Sequence, residues 1–240
     1  MQRKSGYERA FEASEHCTVH AKACVEIVRW CAEANGRDAF GVMRDVERAL
    51  FDVLCGVMDE DRIVEYKKAF PAKAPELHEI IRLLSLHARE TGRECLSDLH
   101  QIFAADLGWE RVFMPWEAAD FLANSHVLEA NRLDAKGNRT IEAIEPACGC
   151  GRLVVAAARA LRESGRKFRV VTADVDADAV KATVVNCFLF QIPACVVHGS
   201  FFSGEVADAV VCEPPKRPRP ALPEELEAVK KILKSEKGTR

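Results

Sequence analysis

Net charge is nearly absent from this chain: 34 Lys and Arg stand against 37 Asp and Glu, leaving −3 over 240 residues. A protein that coats nucleic acid needs a basic surface to displace counterions, so any contact with DNA or RNA here has to be local. Long apolar runs are missing too. The longest nearly apolar stretch, Leu153 to Leu161, contains Arg159 and falls far short of the roughly 20 residues a membrane span requires. The opening MQRKSGYERA turns charged at once and has no apolar segment of the signal-peptide kind. There is no internal repeat and no low-complexity tract. The ten cysteines include no Cys-x-x-Cys pair, the spacing that would close a tetrahedral metal site. These absences predict a cytoplasmic protein with reduced thiols, no structural metal and no membrane partner.

What is present falls into two rhythms. From Tyr7 to about Leu107 apolar residues recur at three and four positions, as in Val25, Ile27, Val28 and Cys31 or Ile80, Ile81, Leu83 and Leu84, the period of helices packed on one face. Gly36, the Phe70–Pro75 segment and Gly92 punctuate it. Cys17, Cys24 and Cys31 recur every seven residues and read as small apolar residues packed along one helix. Trp116 to Ala130 reads as a further helix with Pro115 in its first turn, and the loop 134–139 closes the helical part. Thereafter the pattern is strand Ile141–Ile144, helix Arg152–Glu163, strand Phe168–Ala173, helix Ala177–Phe190, strand Ala194–His198 and strand Ala207–Cys212. Alternation of this kind predicts an α/β fold with a parallel sheet, whose ligands bind at the carboxyl ends of the strands. The expected organisation is a helical region over residues 1–110 and an α/β domain over 111–240 with a charged tail.

The polar motifs of the second half lie at strand ends. Ile141 to Leu153 is a strand entering the glycine loop Glu145-Pro146-Ala147-Cys148-Gly149-Cys150-Gly151. A second strand ends Asp174-Val175-Asp176, a third ends His198-Gly199-Ser200, and Asp208–Cys212 runs into Glu213-Pro214-Pro215-Lys216. Upstream stands Phe113-Met114-Pro115. The loop resembles the Asp-Pro-Ala-Cys-Gly-Ser/Thr-Gly loop of adenine-N6 DNA methyltransferases related to the modification subunits of type I restriction-modification systems. The order Phe-x-Pro, glycine loop, x-Pro-Pro-x is theirs as well, over about Asp98 to Lys216.

The resemblance implies a Rossmann-like S-adenosylmethionine methyltransferase fold, here with an apparently truncated sheet. It implies S-adenosyl-L-methionine as cofactor, held by Phe113, Pro115, Glu145, Ala147, Gly149, Gly151, Asp174, Val175 and Ser200. Asp174 would take the ribose hydroxyls and Val175 the adenine. Asn186 matches a recurring family residue and reads equally well as helix packing. The catalytic tetrad would be Glu213, Pro214, Pro215 and Lys216, in place of the family's Asn/Asp-Pro-Pro-Tyr/Phe. Glu213 carries its acceptor one methylene farther out, and Lys216 has no aromatic face to stack on a flipped base. Adenine-N6 DNA methylation thus stands beside two alternatives: a non-catalytic pseudo-enzyme subunit, like the inactive partner of the eukaryotic mRNA adenine methyltransferase heterodimer with its Glu-Pro-Pro, and methylation of an RNA or protein amide nitrogen. The basic tail offers a DNA contact. The strand Ala207–Cys212, left at a sheet edge, predicts cover by the tail, by a protein partner or by a second copy.

Overall fold

A computed structural model describes residues 6–14, 17–57, 61, 62, 64, 66, 75–108, 114–133 and 140–235. His16, the segment 67–74, the Arg111–Phe113 part of the Phe-x-Pro motif, the loop 134–139 and the basic residues Lys237 and Arg240 lie outside the described residues. The chain divides into two compact units, Met1–Phe113 and Met114–Arg240.

In the first unit the elements are α1 (Gly6–Ala13), α2 (Val19–Asn35), α3 (Ala39–Cys55), α4 (Pro75–Thr91) and α5 (Leu96–Asp106), with no strand among the described residues. Local chemistry sets their limits. The Thr18 hydroxyl accepts from the Ala21 amide and the Asp38 carboxylate from Gly41, satisfying amides that have no helical partner. Gly36 ends α2 in the left-handed conformation, φ +60°, where only glycine is unstrained. Helix α2 therefore starts after Thr18, and Cys17 lies outside the helix whose face holds the buried Cys24 and Cys31. A feature the periodicity did not reveal is His100, whose Nε2 lies 2.6 Å from a Glu47 carboxylate oxygen with both side chains buried. None of the ten cysteines is joined in a disulfide. Among the described residues no helix is long and apolar enough to cross a membrane.

The second unit is mixed α/β. After α6 (Trp116–Leu133) come β1 (Ile141–Glu145), α7 (Arg152–Glu163), β2 (Phe168–Asp174), α8 (Ala177–Leu189), β3 (Ala194–Ser200), β4 (Glu205–Cys212), β5 (Arg219–Pro220) and α9 (Pro223–Ser235). They form one sheet in the order β1-β2-β3-β4-β5. Strands β1, β2 and β3 are parallel, and β4 and β5 are each antiparallel to their neighbour. Pro115 stands just before α6, its carbonyl accepting from Ala119, one position earlier than the first-turn placement expected of it.

Alternation along the strands divides the core. Val171, Ala173, Cys195, Val197, Ala209 and Val211 gather on one face under Val229 of α9. Residues of opposite parity, such as Val170 and Cys212, turn to the face that carries α7 and α8.

One expectation fails here: the sheet is not wholly parallel. Of the three covers expected for the edge of β4, the tail supplies it: the chain returns as β5, with Val210 and Val211 in register with Pro220 and Arg219, and α9 packs over it. Pro220 is tolerated there because β5 is an edge strand, where a missing amide breaks no ladder. Among the described residues, the open edges of the sheet are β1 and the two-residue β5.

Candidate functional site

The ends of β1 and β2 meet at the glycine loop. Asp174, last residue of β2, accepts the Gly149 amide at 2.9 Å through one carboxylate oxygen and the Asp176 amide at 2.9 Å through the other. Asp176 itself accepts from Asp178 and caps α8. Glu145, last residue of β1, accepts the Ala147 amide at 3.0 Å, and the Cys148 amide reaches the Ala173 carbonyl. From above, α8 grips the loop: the Thr183 hydroxyl donates to the Gly149 carbonyl at 2.8 Å and the Asn186 amide to the Cys150 carbonyl at 2.7 Å. Asn186 is buried, and this bond settles its role as the clamp on the loop.

Gly151 closes the loop and opens α7. Its φ of +92° is one that side chains rarely adopt, and a Cβ there would come within 3.1 Å of Thr183 Oγ1. No side chain caps α7; its amino terminus keeps the partial positive charge that suits an anionic group. Arg152, in the first turn, is turned away from the loop, donating to the Met114 carbonyl at 2.9 Å with its guanidinium 5.1 Å from the centre of the Trp116 ring.

The electrostatics follow from burial. Glu145 titrates above the usual carboxylate range because it is desolvated and faces Asp174, opposed by the Ala147 amide and by His126. Burial likewise pushes the Cys148 thiol up to about 12, which keeps it protonated and poorly nucleophilic. Val175, immediately after Asp174, is 71% exposed, an apolar surface beside a carboxylate. Ser200, at the end of β3, accepts the Ser203 amide at 3.2 Å. Ala147, Gly149, Gly151, Asp174, Val175, Glu145 and Ser200 thus share the carboxyl end of the parallel strands. Pro115 lies at the start of α6 in the same unit, and Phe113 is outside the described residues.

Glu213, Pro214, Pro215 and Lys216 do not join them. Cys212 pairs with Ala194, at the beginning of β3, because β4 runs against β3. Asp174 is level with His198 and so with Asp208; Glu213 lies five residues farther along β4 and two strands across. At about 3.3 Å per residue and about 4.8 Å per strand, Asp174 and Glu213 are roughly 19 Å apart, at opposite ends of the sheet. The tetrad there is a surface turn. The Lys216 amide donates to the Glu213 carbonyl at 2.9 Å, the Pro214–Pro215 bond is cis, and the Glu213 carboxylate is about half exposed, 4.0 Å from Lys216 Nζ and 3.9 Å from Arg219. Arg219 is held chiefly by Glu225, through two bonds of 2.8 Å. These bonds, with the Leu222 amide, draw Glu225 down to about 2.

The sequence carried a signal for this inversion. Only eight residues separate the expected strands ending at His198 and starting at Ala207, too few for a parallel crossover of a dozen or more. Gly199 and Gly204 fall within that gap. A Cβ on Gly199 would lie 2.2 Å from the Glu205 carbonyl oxygen, so the bulged hairpin needs glycine there. The tail's basic residues are also partly engaged: Lys230 pairs with Glu227 at 2.7 Å, as Arg219 does with Glu225.

No protein-family model, no curated protein and no solved structure matches this chain.

Proposed function

We infer that this chain is a methyltransferase-like nucleoside-binding protein that takes S-adenosylmethionine at the carboxyl ends of β1, β2 and β3 and does not methylate adenine at Glu213. The observation that carries this reading is the antiparallel direction of β4. Transfer to an amine needs reacting atoms within about 3–3.5 Å and an acceptor aligned on the amine hydrogens. A tetrad roughly 19 Å from Asp174 offers no such acceptor to a methyl donor resting on the glycine loop.

The residues at the loop end suit a nucleoside. Each Asp174 oxygen accepts one amide, and a carboxylate has about four lone-pair sites, so ribose hydroxyls can be accepted without dismantling the loop. Val175 offers an apolar face to a purine, Gly149 and Gly151 let the backbone come close, and the amino terminus of α7 suits a carboxylate. Bound S-adenosylmethionine would supply an activated methyl group. The fitting role is that of a non-catalytic methyltransferase-like subunit. Two basic residues of the tail, Arg219 and Lys230, are paired with carboxylates.

Titration calorimetry with S-adenosylmethionine and S-adenosylhomocysteine, followed by tritiated-methyl transfer to DNA, RNA and protein, tests the reading. Saturable binding of both compounds without transfer is expected. No heat at millimolar ligand removes the cofactor half of the reading, and transfer that disappears in Glu213→Ala removes the non-catalytic half.

A further inference from the structure

The open side of β1 combines three properties. The first is unused backbone. The Ile141 amide donates to the Lys167 carbonyl at 2.8 Å, so Ile141, Ala143 and Glu145 address β2, while Glu142 and Ile144 turn their N–H and C=O groups to the open side. The second is an apolar cavity of about 300 Å³ along the strand, between α6 and α7, lined by Ala123, Val127, Leu153, Ala157, Leu161 and Val170. The third is the sign of its rim. Glu129 and Glu145 border the cavity, with His126 the basic group among its lining residues. Glu142, exposed, lies with Ile144, 38% exposed, on the other face of the strand.

Main-chain groups in a row, a pocket for alternate side chains and a charged rim are what an added strand uses: the ladder supplies affinity and the pocket supplies selectivity. We propose that the β1 edge binds an extended segment of another protein, with apolar residues at alternate positions to fill the cavity and Lys or Arg between them, turned to the other face, to meet Glu142. Charge decides the occupant. A second copy of this chain would set Glu142 against its own counterpart, and like charges facing one another across strands repel. The chain's own tail is committed to β4 through β5 and α9. The inference does not rest on the cofactor reading, and its test is separate from that of the loop.

The probe is a fluorescein-labelled peptide of alternating valine and lysine, compared by anisotropy with a valine–glutamate peptide and with a valine–lysine peptide N-methylated at alternate residues. Saturable binding of the valine–lysine peptide is expected, about tenfold or more tighter than the valine–glutamate peptide and lost on N-methylation. The variant Glu142→Lys, which alters an exposed position, should reverse the preference. Ile144→Pro, which removes one outward amide, should weaken binding severalfold. Equal affinity for the two charge types, binding that survives N-methylation, or no saturable binding of the valine–lysine peptide overturns the proposal. A dimer in sedimentation that Ile144→Pro dissolves overturns it in favour of a second copy.

Discussion

The two ends of the sheet carry similar-looking sequence and are built on different principles. At the glycine-loop end, each element holds another: Asp174 takes two amides, Thr183 and Asn186 take two loop carbonyls, and Glu145 and Cys148 are desolvated. At the Glu213 end, the turn is exposed and tied by ion pairs along its rim, the strongest being Arg219 with Glu225. Buried polar groups that are all satisfied fix one geometry, whereas exposed pairs are screened and contribute little. The first end is held in one arrangement by buried hydrogen bonds, and the second closes the sheet.

The sharpest way to break this contrast is to attack the hairpin that creates it. Gly199→Ala places a Cβ against the Glu205 carbonyl at 2.2 Å and should cost about 2–4 kcal/mol, seen as a lower urea midpoint. Next comes the clamp on the loop. Asn186→Ala leaves the buried Cys150 carbonyl without its 2.7 Å donor and should cost about 1–2 kcal/mol, with cofactor affinity falling as well. Glu213→Ala should sit below about 0.5 kcal/mol in the same urea assay, because the carboxylate is half exposed and its partners are 3.9 and 4.0 Å away.

The smallest effects are the most discriminating, because the two ends should respond to acid with opposite signs. Glu145 is raised in the folded protein, so its contribution is favourable below the usual carboxylate range and is lost as pH climbs through the raised value. Glu145→Gln should therefore gain stability relative to the parent as pH rises from about 4 to neutrality. Glu225 is depressed to about 2, so its contribution is present above the usual range and disappears as pH falls toward that value. Glu225→Gln should be less stable than the parent at neutral pH, and the gap should close in acid and shrink in salt. Urea midpoints across pH for both variants check this.

The sequence exposed the strands and their ends but not the direction of the last one. The stretches Val170–Ala173 and Ala194–Val197 carry no charge because both faces of those strands are covered, and the glycine loop is legible because its backbone demands Gly149 and Gly151. Glu213 does end a strand, as its position after Asp208–Cys212 suggested. Direction depends on how many residues connect β3 to β4, and reading that connection as a crossover carried the tetrad to the wrong end. Strand β5 was hidden because prolines 218 and 220 argue against a strand everywhere except at an edge. The Arg219–Glu225 clamp and the Glu47–His100 pair left no periodic trace, since each is a contact between elements rather than a pattern within one.

The central claim is that a nucleoside belongs to the Asp174 end alone. Amide chemical shifts of the isotope-labelled chain, followed during titration with S-adenosylmethionine, test it in one experiment. Movement concentrated at Gly149, Gly151 and Val175, with Glu213 and Lys216 unmoved, is the predicted result. Movement at Glu213 and Lys216 together with the glycine loop would contradict it, because the tetrad and the loop would then share one site.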